Sequence, residues 1–285
     1  MEKLGLSGDS ILIQDSCIMK ICETNQDRFL KNIEKQKNFN NEYISAVPIL
    51  EQGTIENKNY IVMPLLQCEN SIVWLTRSNI NQIDNLISLL TGYFESIIKD
   101  SQVREFDYSV WINKINDLDS KIMDSDLKII LSSLKNLKFS NEFYYGNYHG
   151  DFTLSNLFIF NEGDCVSLDA IDFLESFMFS PLNDLVKIRQ DTKHLWTLSL
   201  LNNNKYIDEN KVVILLNYID KKIENMIVSD DILSEFYLPF QILNLLRIVP
   251  YNKDERVFIY LKKEIQGLFN EFNTYNAMRR QINKV

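Results

Sequence analysis

The sequence predicts an α+β fold, in which a small sheet-rich front is followed by a larger, mostly helical part. Three observations predict it. Short β-favouring runs punctuated by turn residues fill the first 66 positions. From about Asn79 onward, apolar residues recur at helical spacing. Between the helical stretches, residues 144 to 173 read as strand, turn and strand.

At the front, Ser10-Ile-Leu-Ile-Gln and Cys17-Ile-Met-Lys-Ile-Cys are strands separated by the turn residues Asp15-Ser16. Thr24-Asn25-Gln26-Asp27 supplies capping chemistry for a helix over 28 to 38, with Phe29, Leu30 and Ile33 apolar. Val47-Pro-Ile-Leu-Glu-Gln-Gly-Thr and Asn59-Tyr-Ile-Val-Met-Pro-Leu-Leu read as two more strands around a turn at Glu56 to Asn59. Ile83, Leu86, Ile87, Leu90, Tyr93, Phe94 and Ile97 then mark one face of a strongly amphipathic helix. Further helical patterns cover 107 to 136, 181 to 203, 208 to 226, 229 to 247 and 253 to 280. No repeat, low-complexity tract or Pro/Gly-rich linker interrupts them. The expected boundary is Leu66 to Asn70, which divides the chain into a front lobe, 1–66, and a larger lobe, 67–285.

The chain has 285 residues, 45% of them hydrophobic, so it can bury a substantial core. Its net charge of −9 argues against nucleic acid or an anionic membrane as principal partner, since both need many Lys/Arg–phosphate contacts. Cys17, Cys22, Cys68 and Cys165 form no C-x-x-C pair, as expected of reduced thiols rather than disulfides or a metal cage. The N-terminal residues lack a signal-peptide core, and the apolar stretch 236 to 250 is broken by Pro239, Gln241, Asn244 and Arg247. A soluble, cytoplasmic protein is the expectation.

The chemistry concentrates in His149-Gly-Asp-Phe-Thr-Leu-Ser-Asn156, followed by the apolar run 157 to 160, a turn, and Ile171-Asp172-Phe173. Two carboxylates and an amide oxygen at that spacing suit phosphoryl transfer, where catalysis is mostly positioning and charge stabilisation. Each residue alone has an ordinary reading: an Asp in a loop is usually a turn or cap residue. Order, spacing and strand context together give the set its meaning.

This arrangement resembles the aminoglycoside phosphotransferase and choline kinase-like small-molecule kinases, which share the protein-kinase fold. The resemblance is specific from His149 to about Asp184, and His-Gly-Asp is closer to that branch than to the protein kinases. It implies a two-lobed kinase fold and an ATP- or GTP-dependent, Mg²⁺-requiring phosphotransferase acting on a hydroxyl of a small molecule. Through it, Asp151 is the residue that accepts or orients the acceptor hydroxyl, Asn156 and Asp172 hold Mg²⁺, and His149 is structural. Lys20 would contact the nucleotide phosphates and pair with a helix glutamate, for which Glu34 is the choice and Glu23 and Glu42 are competitors. Gly5, Ser7 and Gly8 would form a phosphate-cradling loop, although two glycines before a strand also make an ordinary turn.

The chain departs from the family pattern in two places. It begins almost at the glycine loop, and the hairpin between Asn156 and Asp172 is lengthened by Asn161-Glu162-Gly163-Asp164. Residues 63 to 67 fall at the inter-lobe hinge, where Pro64 lacks a donor for the adenine. Pro181 starts a helix on which Asp184 would brace the catalytic loop. Glu175 has a supporting, an acceptor-facing and a solvated reading. The acceptor stays open among sugar, aminoglycoside, choline and amino-alcohol types, with acidic residues (Asp107, Glu142, Asp230, Asp231, Glu235) and aromatics on the helical part to meet it. Two other functions compete. One is a catalytically weak kinase-fold protein that binds nucleotide or a partner. The other is a metal phosphohydrolase using His149, Asp151, Asp172 and His194, for which two histidines in the chain are few.

Overall fold

The structure, a computed structural model, describes residues 2–4, 9–201 and 206–282, with side chains from Asp9 to Leu201 and from Tyr206 to Ala277. Five antiparallel strands form the front sheet. They are β1 (Glu2–Leu4), β2 (Ser10–Gln14), β3 (Cys17–Ile21), β5 (Glu51–Ile55) and β6 (Lys58–Pro64), in the order β1-β2-β3-β6-β5. Lys20 lies in the middle of β3, opposite Ile11 on one side and Ile61 on the other. The helix α1 (Gln26–Lys37) starts where the Asn25 side chain accepts from Arg28 N at 2.9 Å, and it buries Phe29, Ile33 and Gln36. With Cys22, Val47, Ile61 and Met63 these residues make a small apolar core.

Residues 47 to 50 are not the strand that their β-favouring composition predicts. The chain pairs earlier, through β4 (Ser45–Ala46), and β4 does not join the front sheet. It runs parallel to β10 (Cys165–Ala170) in a second sheet with β9 (Leu157–Glu162). Val47 N extends that pairing by donating to Ala170 O at 3.0 Å. Pro48 then removes a donor, and regular front-sheet pairing resumes at Glu51. Tertiary pairing overrides local preference here.

The rest is helical and closes round one large core. α2 (Ser71–Arg77) and α3 (Ile80–Lys99) follow the front sheet, and a reciprocal Asn79–Gln82 capping box fixes the start of α3. All seven apolar positions read as one face of that helix are buried. The stretch 107–136 is two helices, α4 (Tyr108–Lys121) and α5 (Ser125–Lys135), because Asp124 caps a new start with its carboxylate on Asp126 N and Leu127 N. A short ribbon of β7 (Gln102–Glu105) and β8 (Glu142–Tyr145) frames that pair. The stretch 181–203 also divides, into α6 (Leu182–Thr192) and α7 (Trp196–Leu200), around Leu195 with φ +53°. α8 (Glu209–Val228), α9 (Asp231–Leu246) and α10 (Glu255–Ile282) complete the fold. The stretch Asp231–Tyr251 has the length and apolarity to cross a membrane, yet 72% of its most apolar window is buried inside the protein.

Candidate active site

The segment from His149 to Asn156 is held from three directions. From α6, the Asp184 carboxylate accepts His149 N at 2.5 Å and Gly150 N at 2.7 Å, and also the Tyr93 hydroxyl at 2.7 Å. Asp191, two turns further along α6, accepts Leu154 N at 2.7 Å. The Phe152 ring is fully buried and stacks on Tyr93 of α3 with centroids 4.7 Å apart. His149 is buried and uses both ring nitrogens: Nε2 lies 2.8 Å from Ile171 O, and Nδ1 accepts from Asp151 N at 3.1 Å. That pattern requires the neutral ring, and burial lowers its pKa accordingly. Gly150 sits at φ +96°, and a Cβ there would fall 1.9 Å from Leu174 O. So the Gly of His-Gly-Asp lets the segment after Asp172 pass against the loop, where Leu174 N donates to His149 O at 3.0 Å.

These supports bring the sequence candidates together. Asn156 Nδ2 donates to Asp151 O at 2.8 Å and to Asp151 Oδ2 at 3.0 Å, which leaves the Asn156 Oδ1 oxygen without a donor among the described residues. Ile171 N donates to Asn156 O at 3.1 Å, tying the loop to the strand end that carries Asp172. Asp172 has φ +61°, a sparsely populated conformation for a residue with a side chain. Across 152 residues of sequence, Lys20 Nζ donates to Asp172 Oδ1 at 2.8 Å, and Asp9 lies 3.6 Å away on the other side. Burial depresses the Lys20 pKa, but the Asp172 and Asp9 carboxylates outweigh it and hold it above the ordinary lysine value.

Lys187 adds a residue that the sequence reading does not include. Its ammonium lies 2.9 Å from Asp151 Oδ1. Burial raises the Asp151 pKa, yet Lys187, with smaller help from His149 and Asn156, holds it below the usual carboxylate range. The signal was present in the sequence: Lys187 follows Asp184 by three residues, so both project from one face of a helix.

Glu34 does not meet Lys20. The phase of α1 is set by Phe29, Ile33 and Gln36, which face the sheet, and this turns Glu34 to solvent, where it makes no ion pair among the described residues. Of the competitors, Glu23 pairs with Lys58 and Ser10, and Glu42 does not reach Lys20. The carboxylates that pair with Lys20 are those of Asp9 and Asp172. Gly5, Ser7 and Gly8 lie outside the described residues. Glu175 is half exposed, with its backbone N donating to Asn32 Oδ1 and its carboxylate 4.0 Å from Lys35. His194 bonds Glu264 at 2.8 Å, well apart from the loop. Among the described residues no three His, Cys, Asp or Glu side chains converge as a metal cage. At the hinge, Leu65 N is already used by Ser16 O at 2.7 Å. A cleft of about 410 Å³ between the end of α1 and residues 44 to 49 is remote from Asp151 and carries no acid.

A free amide oxygen on Asn156 and an unengaged oxygen on Asp172 are hard donors. They suit Mg²⁺, which takes one or two protein oxygens and completes its shell with phosphates and water.

No family model matches the chain, and no curated protein is similar to it in sequence. Solved structures are similar in fold. The GDP complex of wild-type aminoglycoside 2′-phosphotransferase-IIIa superposes with a TM-score of 0.55 at 12% identity, covering 94% of this chain and 90% of its own. A thermostable mutant of aminoglycoside phosphotransferase APH(4)-Ia, in apo form, gives 0.61 at 11% identity, with 95% and 94% covered. A ternary complex of that enzyme with AMP-PNP and hygromycin B gives 0.55 at 12% identity, with 93% and 92% covered. The chain therefore has the α+β, protein-kinase-like fold of the aminoglycoside phosphotransferases.

Proposed function

We propose that this protein is a phosphotransferase that moves the terminal phosphoryl group of ATP or GTP to a hydroxyl of a small molecule. One observation carries the reading. Lys20 of the front sheet pairs with Asp172, Asp151 bonds Asn156 and Lys187, and the Ile171 N–Asn156 O bond ties the two sets together. Nucleotide as donor is supported by the fold neighbours solved with GDP and with AMP-PNP. The division of labour at residue 66 follows: the front sheet takes the nucleotide, and residues 67–285 take the acceptor.

In this reading, Asp151 accepts a hydrogen bond from the acceptor hydroxyl and aims its oxygen at the phosphorus. Because Lys187 keeps Asp151 weakly basic, the proton passes to Oδ only as the new O–P bond forms and the hydroxyl becomes acidic. Asn156 anchors Asp151 in that orientation through Nδ2. Lys20 neutralises phosphate oxygens of the donor. Asn156 Oδ1 and Asp172 would hold Mg²⁺, which supplies charge neutralisation between the phosphates.

The test is nucleoside diphosphate release from Mg-ATP and Mg-GTP over a panel of hydroxylated metabolites, with Asp151→Asn as control. Asp151→Asn is expected to lower kcat by about 10²- to 10⁴-fold with nucleotide affinity kept. An Asp151→Asn protein that turns over like the wild type, or a wild type that binds neither nucleotide, would sink the reading.

A further inference from the structure

Against the segment that follows Asp172 lie two cations outside the set proposed for phosphoryl transfer. Arg247, at the end of α9, is mostly buried. Its guanidinium covers the Phe177 ring at 5.4 Å, and its one hydrogen bond to a described residue is a long 3.5 Å donation to Ser176 Oγ. Lys35, on α1, has a side chain only 15% exposed. It donates to Leu174 O at 2.6 Å and stands 3.3 Å over the Tyr148 ring. Both flank the segment that runs from Asp172 to Phe177 beside the catalytic loop. Tyr148 joins them, since its hydroxyl accepts Ser176 N at 3.0 Å.

Among the described residues, Arg247 has no ion pair and Lys35 has only the 4.0 Å contact with Glu175. Asp151 acts on Arg247 electrostatically but is engaged by Lys187. Asp184 acts on Lys35 but is saturated by three donors. Glu175 reaches Lys35 only at 4.0 Å and is half exposed. Arg28, on the exposed face of α1, adds a further positive charge near Arg247. Burial lowers the pKa of both groups, that of Lys35 to about 8, which is the signature of a charge kept without full compensation. A buried cation without a partner is costly, and the cost is recovered when an anion binds. An arginine held on a ring face presents a fork that matches carboxylate and phosphate oxygens. A polycationic acceptor would meet like charge at this position.

We propose that the acceptor is an anion, a small hydroxylated molecule whose carboxylate or phosphate group is held by Arg247 and Lys35 while its hydroxyl lies on Asp151. The proposal rests on the phosphotransferase reading above. It separates this chain from fold neighbours solved with hygromycin B or kanamycin, which are cationic molecules.

The experiment loads the full chain with Mg-AMP-PNP and measures binding of matched probes by calorimetry: glucose, gluconate, glucose 6-phosphate, glycerol, glycerol 3-phosphate and kanamycin. Anionic members are expected to bind more tightly than their neutral counterparts, with gluconate against glucose 6-phosphate deciding between carboxylate and phosphate. Arg247→Gln and Lys35→Gln are each expected to weaken anion binding about tenfold, the loss of a charge-assisted hydrogen bond, with AMP-PNP affinity unchanged. Arg247→Lys should recover part of the loss, and thermal melting checks that each variant is folded. The proposal is overturned if kanamycin or the neutral probes bind best, or if no anion binds at millimolar concentration. It is equally overturned if the variants weaken AMP-PNP instead, which would assign the cations to the donor. Failure of the wild type to bind AMP-PNP at all overturns the phosphotransferase reading itself.

Discussion

An ammonium 2.9 Å from Asp151 sets the basicity that this carboxylate would bring to an acceptor hydroxyl in the proposed reaction. With its pKa held below the ordinary 3.8, Asp151 stays ionised at any pH near neutrality, and the stability it gains from Lys187 is present above that value and lost as pH falls through the lower one. In the proposed reaction, the acid limb of kcat/KM set by Asp151 is therefore expected below the ordinary carboxylate range. Lys187→Met removes the main lowering influence and leaves burial, which raises the pKa. Its pH–rate profile should show an acid limb moved upward relative to the wild type, and an unmoved limb would mean that Lys187 does not tune Asp151. The sequence made Asp151, Asn156 and Asp172 legible because their spacing falls within one loop and one hairpin. The partner of Lys20 was not legible. It depends on which way α1 is turned, and Phe29 and Ile33 turn Glu34 away.

At the scale of elements, the loop from His149 to Asn156 is a rigid insert between α3, α6 and the segment after Asp172. Gly150→Ala places a methyl against the Leu174 carbonyl and forces a side chain into a positive-φ position. Backbone atoms cannot swing aside as a side-chain tip can, so the expected cost is about 2 kcal/mol or more, from left-handed strain plus displacement of Leu174. Urea melts should show it, and turnover should fall more than the stability loss explains, because the two segments that the site joins are pushed apart. A variant with wild-type stability and turnover would remove Gly150 from this role. Most helices were legible from apolar period alone. The breaks inside 107–136 and 181–203 were less so, because Asp124 and Leu195 act through cap and backbone geometry that periodicity does not register. Residues 47 to 50 misled for another reason: their β-favouring side chains lie just past a two-residue strand whose partner is 124 positions away in β10.

Across the whole molecule, two apolar cores of unequal size are joined where Phe158 and Ile171 of the hairpin pack against the smaller core and where β4 pairs with β10. That junction carries the Lys20–Asp172 pair, with Lys20 from the sheet and Asp172 from the strand end below it. The pair has a consequence for the order in which ligands arrive. Lys20 already holds Oδ1 of the carboxylate that a divalent ion would need, so a bare ion gains both oxygens only by evicting an ammonium whose other carboxylate among the described residues is Asp9. On the proposed function, nucleotide phosphates would offer Lys20 a better anion and release the Asp172 oxygen in the same motion. Metal and nucleotide should consequently bind as a cooperative couple, each raising the other's affinity by the same factor. Titrating Mn²⁺ with and without ADP measures that factor. In Lys20→Met the eviction step is gone, so Mn²⁺ alone should bind more tightly than to the wild type while the couple weakens. On the proposed function, Lys20 is thus an internal competitor for metal, a lock that the donor nucleotide would turn.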